Sequence, residues 1–173
     1  MIGVALIEEC IKHGTEVYAV VREGSEKRSR LPEGSLIKFV DCSLEHLDRL
    51  PEMIPQECDT FYHIAWGNTG ENRNSSTELQ SRNIGYTLAA VKAAAALGCK
   101  RFIGAGSQAE YGLLDLDRIS PESAANPTTP YGAAKLASGY LARMLCRELG
   151  IECIWPRIFS VYGIYEKETT MIA

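Results

Sequence analysis

The sequence predicts one doubly wound α/β domain, a parallel sheet covered by helices on both faces. Three observations carry this. Short, apolar, β-rich runs alternate several times with stretches of helical periodicity. The three best-defined helical stretches each stop at a glycine, Gly14, Gly98 and Gly150, as helices commonly do. No internal repeat, low-complexity tract or linker breaks the alternation.

In chain order, "IGVALIEECIKHG" has helical spacing and closes at Gly14. "EVYAVVR", residues 16–22, reads as a short strand, and "GSEKRSRLPEG", 24–34, as a polar connection. "SLIKFVDC", 35–42, is the next strand. "SLEHLDRLPEMI" follows as a short helix with Ser43 placed to cap it. "CDTFYHIAW", 58–66, is a strand, residues 75–98 a long helix, and "CKRFIGAGS", 99–107, a strand and its turn. A loop rich in Pro, Ser and Asn covers 115–130. The helix over 130–149 leads through Gly150 to the strand "IECIWPRIF".

Composition narrows the function classes. The chain has 173 residues and a net charge of −4, with no basic stripe of the kind nucleic acid attracts. No apolar run approaches the roughly 20 residues of a membrane span. "MIGVALIEEC" lacks the basic start of a signal peptide, and Glu8 and Glu9 interrupt its apolar run. Cys10, Cys42, Cys58, Cys99, Cys146 and Cys153 form no C-x-x-C pair, which argues against a zinc site and for reduced, buried thiols in a cytoplasmic protein.

In a doubly wound sheet, ligands bind at the carboxyl ends of the strands. That directs attention to Arg22, Asp41, Cys42, Ile64 to Gly67, Ala105 to Gln108, and Arg157 to Ser160. Near one such end, "TTPYGAAKLASGY" places Tyr131 and Lys135 one turn apart on a helix face. A phenol is a poor base at neutral pH, but a neighbouring ammonium favours the phenolate and makes it a usable acid/base. Ser107, at a strand end, is positioned to hold a carbonyl or alcohol oxygen beside it.

These residues resemble an extended short-chain dehydrogenase/reductase of the NAD-dependent epimerase/dehydratase group. "GSQAEYG" (106–112) is similar to the family's serine-bearing strand end, "PYGAAK" to its Y-x-x-x-K, "PRIFSVYG" (156–163) to its R-x-x-N-x-Y-G, and "FYHIAW" (61–66) to its H-x-A strand end. Asn83 matches an asparagine of the long helix. The resemblance implies a Rossmann-like fold in which Tyr131 is the acid/base. Lys135 would support it and bind the nicotinamide ribose, and Ser107 would orient the substrate oxygen. It implies cofactor contacts from Gly3, Asp41, Cys42, Ile64, Ala65, Asn83 and Ile158, and substrate contacts from Ser107, Gln108 and Ser160. It also implies dimerisation through the helices at 75–98 and 130–149.

There are departures from the family pattern. Its sugar dehydratases carry an Asp-Glu pair after the serine, where this chain has Gln108 and Ala109. Glu110 comes one place late, so in extended chain it points to the other face. Dehydration is therefore disfavoured. Ser160 replaces the usual asparagine. Where NAD enzymes carry an acid at the end of the second strand, this chain has Arg22, which suits a 2′-phosphate. Arg28 and Ser25 are possible helpers, so NADP is expected ahead of NAD.

Gly3 resembles the last glycine of the family's G-x-x-G-x-x-G, whose backbone N–H groups hold the pyrophosphate. The first strand, the earlier glycines and the C-terminal substrate domain have no counterpart. Residues 1–173 thus read as a partial dinucleotide-binding domain, with strands 16–22 and 58–64 flanking an empty slot. Codons upstream of Met1 are expected to encode the missing strand. The expected activity is epimerisation or ketoreduction of a nucleotide sugar. Open alternatives are a non-catalytic NADP-binding sensor, a sugar-nucleotide dehydratase, or a dimerisation module built on the small residues Ala93, Ala94, Ala133 and Ala137.

Overall fold

The computed structural model describes residues 1–115 and 117–163. Its helices are α1 (Ile2–Lys12), α2 (Leu50–Met53), α3 (Thr77–Ala96) and α4 (Pro130–Glu148). Its strands are β1 (Val17–Val21), β2 (Ile37–Asp41), β3 (Thr60–His63), β4 (Arg101–Gly104), β5 (Gly106–Ser107), β6 (Glu152–Ile154) and β7 (Arg157–Ile158). Among the described residues every strand pairing is parallel: β1 with β2, β3 with β4, β4 with β6, and β5 with β7. α3 connects β3 to β4 and α4 leads from β5 to β6, while a 3₁₀ turn, Glu26–Arg30, lies between β1 and β2; this is the α/β architecture that the sequence predicts.

The predicted glycine stops are real and share one geometry. The N–H groups of Thr15, Cys99 and Ile151 reach back to the carbonyls of Cys10, Ala94 and Cys146 at 2.9, 3.0 and 2.8 Å. Gly14, Gly98 and Gly150 sit at φ of 72°, 77° and 70°, the left-handed turn that this closure requires. At the other ends, Ser76 Oγ accepts from the Leu79 amide and Thr129 Oγ1 from the Gly132 amide. Pro130 occupies the first turn of α4, where a missing N–H leaves no helical bond unmade.

Val40, Leu47, Leu50, Ile54, Val91, Phe102, Ala142, Ile151 and Trp155 belong to a single buried cluster. It joins β2, β4, α3 and α4, so both sets of strands pack on one core. Alanines 90, 93 and 94 let α3 approach closely, and at most 2% of each is exposed. That corrects one expectation: Ala93 and Ala94 serve this core and are not surface for a second copy. Of the six thiols, only Cys99 and Cys146 are buried and the other four are half-buried, fewer than expected.

Local differences from the sequence reading have physical causes. The helix expected over 43–54 is a 3₁₀ turn, Leu44–Arg49, followed by the short α2, with His46 at non-helical φ −123°. Ser43 stands at the N-cap position but its side chain makes no capping hydrogen bond. The strand expected over 151–159 is two, β6 and β7, separated at Trp155 and Pro156. Proline has no ladder donor. Its carbonyl accepts from Gly106 N at 2.9 Å, so pairing passes from β4 to β5. Among the described residues no ladder joins β1 to β3.

The close approach around Gly106 is testable. A β-carbon there would stand 2.6 Å from Trp155 Nε1, 2.8 Å from Glu110 Oε1 and 2.8 Å from the Pro156 carbonyl oxygen. Gly106→Ala is expected to lower the unfolding free energy by about 1–3 kcal/mol in urea titration. An unchanged midpoint would show that the turn relaxes freely.

Candidate active site

The carboxyl ends of β3 and β5 and the first turns of α4 meet in one place. At the first, His63 is buried and stacks on Phe102. The chain then runs through Ile64 and Ala65 to Trp66, Gly67 and Asn68, and α3 fixes this segment. Gln80 Oε1 accepts from the Trp66 indole N–H at 2.9 Å, and its amide donates to the Asn68 carbonyl at 2.8 Å. Asn83 Oδ1 accepts from Gly67 N at 2.7 Å, and its amide donates back to the Gly67 carbonyl. Thr87 Oγ1 stands 3.4 Å from His63 Nε2. Gln80, Asn83 and Thr87 are all buried, so the upper half of α3 presents polar groups to the core and each finds a partner.

Ser107 ends β5 beside Ile158 of β7. Its hydroxyl oxygen accepts from the Ala109 amide at 3.2 Å, which starts the 3₁₀ turn Gln108–Glu110 and leaves the hydroxyl proton free to donate. Gln108 and Ser160 are exposed. The start of α4 packs on this turn: at Gly132 a β-carbon would run into the Ala109 carbonyl. Only glycine allows that approach, and it carries Tyr131 to the strand ends.

Lys135 lies beneath. Its ammonium donates to the Ala105 carbonyl at 2.6 Å and sits 3.7 Å from the centre of the Trp66 ring. The Tyr131 ring is 5.9 Å from that ammonium, meets Trp66 edge-on, and carries the Arg73 guanidinium 4.0 Å over its face. Burial pushes Lys135 down to about 7; the nearby Glu110 carboxylate opposes the shift and Arg73 adds to it. Burial, and then the Lys135 charge, push His63 down to about 3. His63 is therefore neutral at physiological pH, a hydrogen-bonding group rather than a third cation.

The other predicted positions lie elsewhere. A cleft of about 360 Å³ is lined by Arg22, Glu23, Asp41, Cys42, Ser43, His46, Arg49 and Met53. It gathers Arg22, Asp41 and Cys42, which lie at the carboxyl ends of β1 and β2. Arg28 does not join them as a free cation: it pairs with Asp41 at 3.4 Å and stacks on Phe39. A larger cleft of about 620 Å³ runs from Ser25 to Phe39, away from Tyr131 and Lys135. Gly3 is in the first turn of α1, whose neighbour Met1 abuts Gly163.

Sequence reasoning took in Trp66 only as part of the strand-end run Ile64 to Gly67 and Glu110 only as displaced from the dehydratase pair, and it missed Arg73, Gln80 and Trp155. Gln80 left a signal, because it shares the buried stripe of a helix with Asn83, Thr87 and Val91. Arg73 left none, since it lies in a short turn between β3 and α3.

A profile of the NAD dependent epimerase/dehydratase family matches residues 1–173. The chain belongs to that family. A UDP-glucose 4-epimerase of Streptomyces lividans is 23% identical over 163 residues, which is 94% of this chain and 50% of that protein. The fold is also that of the UDP-N-acetylglucosamine 4-epimerase of Methanobrevibacter ruminantium, solved with UDP-N-acetylmuramic acid. That match has a TM-score of 0.83 at 19% identity, over 100% of this chain and 56% of that one. A UDP-glucuronic acid 4-epimerase of Bacillus cereus, solved with NAD, matches with a TM-score of 0.76 at 21% identity, over 97% and 56%. The chain spans about half the length of these relatives.

The buried ammonium sets a pH test. The unfolded chain holds the Lys135 proton up to the ordinary 10.5, whereas the folded chain releases it near 7. Between these values the unfolded state binds more protons, so this residue's contribution to stability improves as pH rises. Urea unfolding at pH 7 and pH 10 should show wild type gaining relative to Lys135→Met. Parallel changes in the two proteins would remove the buried cation from the account.

Proposed function

We propose that the protein carrying this chain is a nicotinamide-dinucleotide-dependent enzyme that epimerises a sugar carbon of a nucleotide sugar. The observation that carries this reading is the cluster at Tyr131: a phenol on the first turn of α4, a buried ammonium one turn on, and a serine hydroxyl on the strand end against which that turn packs. Tyr131 takes a proton from the sugar hydroxyl and later returns it. Lys135 supplies positive charge beside the phenol and hydroxyl-binding capacity for a ribose. Ser107 donates its free proton to the substrate oxygen. When bound, the dinucleotide supplies hydride transfer at the same carbon. Ketoreduction uses the same three residues and is the second reading. Relatives named for UDP-sugar 4-epimerisation favour the first.

The residues present suit a dinucleotide. The cleft at Arg22 offers exposed guanidinium groups from Arg22 and Arg49 beside the Asp41 carboxylate, a donor and acceptor set for a ribose and its substituents. The family is NAD-dependent, and the Bacillus cereus relative was solved with NAD. Preference for NADP rests on Arg22, now without help from Arg28. Six free thiols suit the reducing cytoplasm. Tyr140, Leu141 and Met144 form an exposed apolar stripe on α4, each at least 40% exposed, which a second copy would cover.

In the purified enzyme, Tyr131→Phe is expected to lower turnover of UDP-glucose or UDP-N-acetylglucosamine by roughly 10²-fold or more while dinucleotide binding persists. Unchanged turnover would return Tyr131 to a packing role. Titration calorimetry of Arg22→Ala should show a greater loss of affinity for NADP than for NAD. Equal losses would mean that Arg22 does not read the phosphate.

A further inference from the structure

Glu110 is a carboxylate with 1% exposure that the proposed chemistry does not use. It lies three residues after Ser107, on the far side of the 3₁₀ turn, and both of its oxygens are engaged. Oε1 accepts from the Ser107 amide at 2.9 Å and from the Trp155 indole N–H at 3.0 Å. Oε2 accepts from Arg157 Nε at 2.8 Å. Arg157 in turn lies 4.3 Å over the Tyr111 ring. Three segments are thus tied to one side chain: the β5 strand end that holds Ser107, the Trp155–Pro156 break, and the start of β7.

A buried carboxylate that only closed a turn would need one donor and would more cheaply be an apolar residue. This one has three donors, and its charge also reaches Lys135. The groups facing that ammonium are Glu110 from the 3₁₀ turn, Arg73 from the turn Glu71–Arg73, neutral His63 from β3 and Tyr131 from α4 itself. Arg73 opposes a positive Lys135, and Glu110 is the anion among them that supports it.

We propose that Glu110 is the positioning residue of the active site: it fixes the main chain of Ser107, ties it through Trp155 and Arg157 to the strand end beside it, and is the carboxylate that faces Lys135. The part concerning turnover rests on the function proposed above; the part concerning Lys135 does not. Glu110 touches neither substrate nor cofactor in this scheme and acts through Ser107 and Lys135.

The test reads Lys135 directly. In the purified enzyme labelled with ¹³Cε-lysine, with the Lys135 signal assigned by Lys135→Arg, the signal is followed against pH. Glu110→Gln is expected to lower the titration midpoint by about half a pH unit or more, and Glu110→Asp to keep most of the wild-type value. Arg157→Gln, which removes the cation that offsets the carboxylate, should raise it. It also serves if Glu110→Gln does not fold. A midpoint unmoved in the folded Glu110→Gln protein, or in Arg157→Gln where the former does not fold, overturns the proposal. With NAD and UDP-glucose as probes, kcat/KM of Glu110→Gln should fall by about 10-fold or more and its alkaline limb should move to lower pH. A purely structural role would scale activity at every pH without moving that limb, which would also overturn the proposal. Absence of turnover in the wild type would count against the proposed function and leave the Lys135 titration standing as the test of Glu110.

Discussion

A buried indole needs an acceptor for its N–H, and the acceptor that Trp155 finds organises the half of the molecule that carries Tyr131 and Lys135. Trp155 is 7% exposed and fits only because Gly104, Gly106 and Gly139 leave room around the ring. Its N–H goes to Glu110. A carboxylate taken out of water needs a cation as well, and Arg157 supplies it from two residues along the same extended chain, on the same face as Trp155. The break at Pro156 lets these neighbours belong to different ladders. One side chain's need for a partner thereby joins β4, β5, β7, α4 and the turn at Ser107.

The opposite wall is held by amides rather than by an ion pair. The upper half of α3 turns Gln80, Asn83 and Thr87 inward, and the lower half turns Ala90, Val91 and Ala94 inward. The apolar half packs the core. The polar half cannot pack there without partners, and it finds them on the backbone of Gly67 and Asn68 and on the Trp66 and His63 rings. Asn68 stands at φ 58°, a left-handed conformation that asparagine tolerates well. The chain leaving β3 is therefore pinned at both the side-chain and the main-chain level, and Trp66 is delivered over Lys135.

The fold was legible because its signals are local and repeated. Hydrophobic period and glycine stops located α1, α3, α4 and the strands to within a few residues. The failures came where one residue overrode a pattern. Pro156 split a run that reads as continuous strand, and a non-helical His46 broke the expected 43–54 helix, with no capping bond from Ser43. The reading of Glu110 assumed extended chain, where one place late means the other face, but the residue sits in a 3₁₀ turn begun by Ser107. Its value lies in partners 45 and 47 residues away, Trp155 and Arg157, which no local pattern announces. Arg28, read as a possible helper for Arg22, pairs with Asp41, a partner 13 residues away that no local pattern announces.

Lys135 brings the two walls together. An ammonium has three protons to donate and no tolerance for an apolar interior without acceptors. One proton goes to the Ala105 carbonyl at the end of β4, and the face of Trp66 covers a second direction. Both partners are held by other groups: Ala105 by the His63 carbonyl, Trp66 by Gln80. The site therefore presents a cation whose position is fixed by the protein, with donor capacity left over. A ligand hydroxyl that accepts the remaining proton completes the shell without having to order the side chain first, and the entropy of fixing a long lysine has already been met by folding. That is why the desolvation borne by Lys135 belongs to the chemistry of the site and is not a defect of the core.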